Sequence, residues 1–368
     1  MVEILATTAP ESRTSVEGLG ADAPGECSCL RQKSGCCRCE ALGQYSQGAE
    51  CRYDHALKTA AKAKEAVMID AARERAEELH EAGMKLSNAG NDDAAVEQYL
   101  KALAFDPDRP STLYNLGLIF KYRREWRASF EYNRRARELR ADDEATLWNL
   151  TIAATALQDW ATARDVWRDL KIFSEPGEGP INENFGDTPV RLNADESSDA
   201  PREVVWARRL CPVRARILNI PTGATGFRHG DVVLHDGAAV GYRLDSDGRE
   251  CAVFNVLELF EPSRFSTFEV SVEVDGPQDV GALEGLCDEA GIPFADWTGS
   301  LRTLCKACSE GRPHEGHDGE LKERDWERTR RVGFAAIDAD RLGAVLKGWK
   351  GRRKLVADLR CTLDARLS

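Results

Sequence analysis

Four residues able to hold a borderline-soft metal fall within thirteen positions of one another, Cys305, Cys308, His314 and His317, in the stretch LCKACSEGRPHEGHD. The C-x2-C pair lets two thiolates grip one ion from a tight turn, and two imidazoles complete a tetrahedral Cys2His2 set. Only two residues separate the histidines, where zinc fingers place three to five, so the expectation is a compact loop holding one structural zinc rather than a ββα finger. Two alternatives stay open: a zinc with a vacant position, at which Glu315 would act as acid or base in a metal-dependent enzyme, and no metal at all. Asp318 or Cys287 would be the substitute for a histidine. HEGH misses the metalloprotease pattern HExxH by one residue, and Pro313 and Gly316 oppose the helix that pattern needs. The chain has no phosphate loop, no G-x-S-x-G elbow and no strand-linked G-x-G-x-x-G, so no catalytic residue is assigned and a non-enzymatic protein is expected.

Other constellations read as structural. Cys27, Cys29, Cys36, Cys37, Cys39 and Cys51 match no ligand spacing and lie in a Gly, Ser and Pro-rich segment, residues 1–52, read as disordered. His229 and His235, near Asp231 and Asp236, read as turn and edge polar groups. In KGWKGRRK, Lys347 to Lys354, Trp349 stands at core spacing behind Val345 and Leu346, with the cations offsetting a helix C-terminus. Sixty-two acids against fifty bases give a net charge of −12, which repels phosphate backbones and argues against nucleic acid as a partner. The chain has no run of about 18 apolar residues, the length a membrane helix needs. With no export signal either, a cytoplasmic location is expected and the twelve cysteines read as reduced thiols or ligands.

The elements that carry these groups are set by periodicity. Residues 53–173 are helical, with Leu57, Ala60, Ala63, Val67 and Ala71 at helix spacing ahead of a 34-residue repeat. Leu79, Ala82, Gly83, Leu86, Ala95, Tyr99, Ala102 and Pro107 are followed one period on by Leu113, Leu116, Gly117, Phe120, Ser129, Asn133, Ala136 and Ala141. A further period gives Leu147, Leu150, Thr151, Ala154, Ala163, Trp167 and Leu170. A hairpin of two helices cannot bury its own apolar stripe, so neighbours stack, and mid-helix glycines at 83 and 117 imply close approach of a second helix.

This pattern resembles the tetratricopeptide repeat (TPR), here three repeats at about 76–109, 110–143 and 144–173, forming an all-α solenoid. The resemblance implies a scaffold or adaptor that captures a peptide or helix of a protein partner on the concave face. The first helices of the hairpins would present His80, Met84, Tyr114, Leu118, Lys121, Tyr122, Trp148 and Ile152 there. A carboxylate clamp of the chaperone-binding kind is not implied, because His80 and Met84 occupy its first positions.

Residues 174–201 concentrate Pro, Gly, Ser and acids and read as a linker. Residues 202–262 carry short strands, with Asp236-Gly237 and Asp247-Gly248 as turn signals. Residues 263–368 run strand, helix, strand, strand, helix, strand, the order of a ferredoxin-like βαββαβ domain, with the zinc loop inserted between its second and third strands. The fold class is therefore multidomain, an all-α TPR solenoid followed by an α+β region. An RNA-binding adaptor acting through the C-terminal domain is the remaining alternative.

Overall fold

The computed structural model describes residues 46–173, 175, 177–195, 199–300, 326–349, 354–355 and 357–365. The chain divides into two units, Met1–Ala71 and Ala72–Ser368. In the first, residues 46–71 are helical. The second begins with the last turns of α1 (Ser46–Asn88) and continues through α2 (Asp92–Phe105), α3 (Pro110–Tyr122), α4 (Trp126–Leu139), α5 (Glu144–Ala156) and α6 (Trp160–Asp169), three hairpins in all.

The repeat period is visible in the backbone itself. Gly90, Arg124 and Gln158, each 34 residues after the last, adopt left-handed φ of +77°, +60° and +59° between the two helices of a hairpin. Asn91, Glu125 and Asp159 then donate their N–H back to Leu86, Phe120 and Ala154, closing each first helix with a Schellman bond. Only the first turn uses glycine. Arg124 and Gln158 hold the same conformation at a cost of about 1 kcal/mol each, which the packing on either side sustains. Asn91, Asp143 and Asp159 cap α2, α5 and α6 through their side chains, and Pro110 opens α3. The glycines behave as their spacing implies. A Cβ at Gly83 would come within 2.6 Å of the Tyr99 ring, and one at Gly117 would strike the Asn133 amide.

The linker expected at 174–201 carries a strand instead. Here β1 (Asp187–Leu192) joins β2 (Glu203–Cys211), β3 (Arg214–Ile217), β4 (Val232–Leu244) and β5 (Glu250–Glu261) in a closed barrel, each antiparallel to the next, with β1 and β5 parallel at the closure. Pro, Gly and acids on both sides mask a short segment, TPVRL, whose Val190 and Leu192 alternate into the barrel core beside Val205, Ala207, Ala215, Ile217, Val233 and Val256. Asp247-Gly248 does turn between β4 and β5, with Gly248 at φ +76°. Asp236-Gly237 does not turn the chain. It lies within β4, where the register slips between His235 and Ala239, a bulge.

Beyond the barrel come β6 (Ser266–Glu273), α7 (Pro277–Ala290), β7 (Phe294–Asp296), the short α8 (Trp297–Ser300), β8 (Thr329–Ala336), α9 (Ala339–Gly348), β9 (Lys354–Leu355) and β10 (Arg360–Leu363). The sheet order is β10-β6-β8-β7, with β9 also on β6. Phe268, Val270, Val272, Val332 and Phe334 form a core with Leu283 and Cys287 of α7 and Leu342 and Leu346 of α9. Trp349 is buried in the same core and its indole donates to the Asp279 carbonyl, so it offers no face to a base.

Repeats and barrel share a core. Leu147, Leu150, Ile152 and Ala153 of α5 and Val166 and Trp167 of α6 form one cluster with Ile181, Cys211, Val213, Leu234 and Leu257. Arg214, 1% exposed, lies 4.8 Å from the Trp160 ring and 5.1 Å from the Phe260 ring and donates to the Ile181 carbonyl at 2.7 Å. Among the described residues of the expected linker, Ile181 and β1 (Asp187–Leu192) are packed into these cores, which corrects the linker expectation there.

Candidate protein-binding face

The residues expected on the concave face separate into two groups. Lys121 and Tyr122, at the end of α3, meet the bulge of β4: Lys121 Nζ donates to Asp236 Oδ1 at 2.9 Å, and the Tyr122 hydroxyl donates to Oδ2 at 3.0 Å. The same carboxylate accepts from the Gly237 N–H at 2.8 Å. Side chains of Lys121 and Asp236 are 3% and 6% exposed, and the ammonium also sits 4.3 Å from the centre of the Tyr122 ring. Burial of its hydroxyl end, then the charge of Asp236, push the Tyr122 phenol pKa well up. On α5, Trp148 packs against Gly237, where a Cβ would stand 2.5 Å from the ring, and makes an edge contact with Trp167 at 4.9 Å. Ile152 is fully buried in the shared core. Nearby, the Trp126 indole donates to Glu258 of β5 at 3.0 Å, and burial raises the pKa of that carboxyl.

The second group lies toward the first repeat. Met84 is 39% exposed, and Tyr114 and Leu118 are half-buried. Burial, then the Asp143 charge, raise the Tyr114 pKa. His80 does not line this surface. It is 4% exposed between the first two repeats, its Nδ1 shares a hydrogen bond with the Thr112 hydroxyl at 2.9 Å, and its ring tilts on Tyr99. Burial and then Arg109 lower its pKa, so it is held neutral.

Asp236 and Gly237 are the contact residues that sequence reasoning missed. A signal was present in Asp-Gly, but it reads as a hairpin turn, and nothing local says that this dipeptide faces another domain. His229 and His235 make internal contacts, His235 inside β4 rather than as the turn or edge group expected. His235 is wholly buried, its ring tilts against that of Phe254 at 5.2 Å, and its Nδ1 is 2.8 Å from the Asp236 carbonyl. His229 lies 2.9 Å from the Leu218 carbonyl, while Asp231 accepts from the N–H groups of Arg228 and Ser263. Cys305, Cys308, His314, His317, Glu315 and Asp318 lie outside the described residues, as do Cys27, Cys29, Cys36, Cys37 and Cys39. Among the described residues no cluster of three or more Cys, His, Asp or Glu is placed to hold a metal. Cys287 is packed in the core, and burial pushes its thiol up to about 12, so it is a poor substitute ligand.

A TPR repeat family model matches residues 88–121, the stretch from the end of α1 through α3. The photosystem I assembly protein Ycf3 of Prochlorococcus marinus (strain MIT 9211) is 30% identical over 154 residues, covering 42% of this chain and 70% of that protein. The chain belongs to the tetratricopeptide repeat family. The Ycf3 protein of Synechococcus sp. (strain CC9902) is similar at 29% identity over 153 residues, with the same coverage of each chain. A solved hypothetical protein from Neisseria gonorrhoeae covers 49% of this chain and 96% of its own, at 14% identity and a TM-score of 0.23, too low to mark a shared fold. In this TPR protein, Lys121, Tyr122 and Trp148 meet the chain's own barrel at Asp236 and Gly237.

Proposed function

We propose that this TPR protein is a non-catalytic adaptor that holds a peptide or helix of a protein partner against the open part of its concave face, at Met84, Tyr114 and Leu118, with the rim of Tyr122. One observation carries the reading. Lys121, Tyr122 and Trp148 already grip an irregular, extended piece of backbone, Asp236-Gly237, through a buried carboxylate and an aromatic ring packed on a glycine. Those are interactions by which such a face holds a segment in trans, with aromatic anchors at the centre. The Ycf3 relatives are named for assembling photosystem I, and we carry over only the binding of a protein partner. No described helix is long and apolar enough to cross a membrane, in keeping with a proposed cytoplasmic role.

Two finer readings belong to the same proposal. The sheet order β10-β6-β8-β7 with α7 and α9 on one face supports the ferredoxin-like form of the C-terminal domain. One structural zinc on Cys305, Cys308, His314 and His317 follows from ligand type and spacing. Elemental analysis of the purified chain tests it, and unchanged zinc content in Cys305→Ser/Cys308→Ser would remove it.

The adaptor reading is tested by recovering partners from the native cell on the full chain and on Met84→Glu/Leu118→Glu. Loss of the recovered protein at an unchanged melting temperature is expected. Equal recovery by the variant would mean that the partner docks elsewhere.

A further inference from the structure

Carboxylates border the apolar centre of the open concave face. On α1, Glu77, Glu81 and Met84 follow one another at i, i+4 and i+7, so they share one face of the helix. The repeat period sets that face in the groove: Glu81 stands 34 residues before Asn115, and Met84 34 residues before Leu118. Glu81 is exposed, and the side chain of Glu77 is 50% exposed. At the α5 side, Asp143 caps the helix and still acts on Tyr114, whose pKa is raised by burial first and then by that charge.

The cations beside these residues are already matched. Arg109, just before α3, is bound to Glu77, and Lys121, at the end of α3, gives its charge to Asp236 at 2.9 Å. Glu81 makes no ion pair among the described residues. Lys85 does not offset it. Its row continues one period on at Ile119, which is buried with Ala95 and Tyr99 of the preceding hairpin, so Lys85 lies on the outer end of the stack rather than in the groove. What is left is an apolar patch with an excess of negative charge beside it, in a chain whose net charge is −12. A segment carrying carboxylates would be repelled there, and a neutral one would leave Glu81 unmatched, whereas lysines or arginines gain on-rate and a fixed orientation from the same field. We propose, building on the adaptor reading, that the segment captured at Met84, Tyr114 and Leu118 is basic: apolar anchors flanked by two or more lysines or arginines, which meet Glu81 and the exposed side of Glu77. The anchors supply most of the affinity, and the acids select the partner, since exposed ion pairs contribute little each.

The test pans a phage library of random dodecapeptides against the full chain and against Met84→Gln/Leu118→Gln, which removes apolar surface without adding charge. Peptides enriched only by the unaltered chain are expected to combine apolar residues with two or more lysines or arginines. The strongest of them, fluorescein-labelled and followed by anisotropy, should bind about fivefold more weakly when its cations are replaced by glutamine, and about as much more weakly to Glu81→Lys. A version with glutamates in place of the cations should bind Glu81→Lys more tightly than it binds the unaltered chain. If Met84→Gln/Leu118→Gln fails to fold, the altered peptides and Glu81→Lys still decide. Neutral or acidic peptides that the unaltered chain enriches and the glutamine variant loses would overturn this inference and leave the adaptor reading standing. Basic peptides held equally by both chains would show attraction to an acidic surface alone and overturn the two together. The inference also falls if no peptide is enriched, or if Glu81→Lys leaves the preference for cations unchanged.

Discussion

Removing the Asp236 carboxylate measures how firmly barrel and repeats are joined. In Asp236→Ala the Lys121 ammonium, 3% exposed, keeps its place but loses its counter-ion, and the Tyr122 hydroxyl and the Gly237 N–H lose their acceptor. Deleting one partner of a buried pair costs about 3–5 kcal/mol, because the remaining charge is left dry and uncompensated. Deleting both ends should cost less: Lys121→Met/Asp236→Leu leaves no buried charge, and what remains is the lost acceptor of the Tyr122 hydroxyl and the Gly237 N–H, about 1–3 kcal/mol. Urea unfolding followed by tryptophan fluorescence is a direct assay, since Trp148 and Trp167 report from the shared core. At about 2 °C per kcal/mol for a unit of this size, the single variant should melt roughly 6–10 °C lower. A loss below about 1 kcal/mol, the range of an exposed pair, would refute the idea that Asp236 anchors the barrel in the groove. So would a double variant as damaged as the single one.

Gly237→Ala should destabilise the chain by about 1–3 kcal/mol, because the new methyl meets the Trp148 ring, and circular-dichroism melting reads it. Burial holds the His235 pKa down to about 4, against 6.5 when unfolded, so the unfolded chain binds more protons between those values. Stability present above pH 6.5 should therefore be lost progressively as pH falls toward 4, by about 3 kcal/mol from this group, and His235→Phe should flatten that slope whatever it does to stability at pH 7. A fragment ending at residue 173 should aggregate or melt early, since it bares Leu150, Ile152 and Trp167; a soluble, cooperatively folded fragment would contradict the shared core.

What the sequence revealed was whatever repeats or alternates. The 34-residue period survived substitutions because many positions vote for it, and Gly83 and Gly117 pointed to close helix contacts that the structure places on Tyr99 and Asn133. Alternation along β6 was equally legible, for one face of that sheet is a core and the pattern of period two follows. Strands β1 and β2 escaped notice for a local reason. The first is short and framed by Pro, Gly and acids, and the second reads EVVWARRLC, where an exposed Arg208 and a half-buried Arg209 break a simple apolar pattern. His80 sits in register with groove positions, yet its side chain turns between two helices to meet Thr112, a choice set by neighbours 32 residues away. Docking of β4 into the groove could not be read at all, because it depends on which faces of two separately folded patterns meet.

Where the solenoid ends explains why the barrel is there and what it leaves for a partner. A stack of repeats needs a cap, since its last hairpin has an apolar face and no following hairpin to cover it. Here α6 ends at Asp169, and Val166 and Trp167 pack with Ile181, Cys211, Val213 and Leu257, so the barrel takes the place of a capping helix. A polar helix would cover only the end. A barrel is wider, and the bulge of β4 reaches round onto the concave side as far as Lys121 and Trp148. The open face then narrows to two helices, the end of α1 and α3. Helices pack about 8–10 Å apart, so that face is about 20 Å across, enough for roughly six residues of extended peptide at about 3.3 Å each. A partner segment cut down to about six residues should therefore keep most of its affinity for this face. If affinity instead kept rising as the segment grew to about twelve residues, the barrel would have to yield the second half of the groove, and Asp236→Ala would then strengthen binding rather than leave it unchanged.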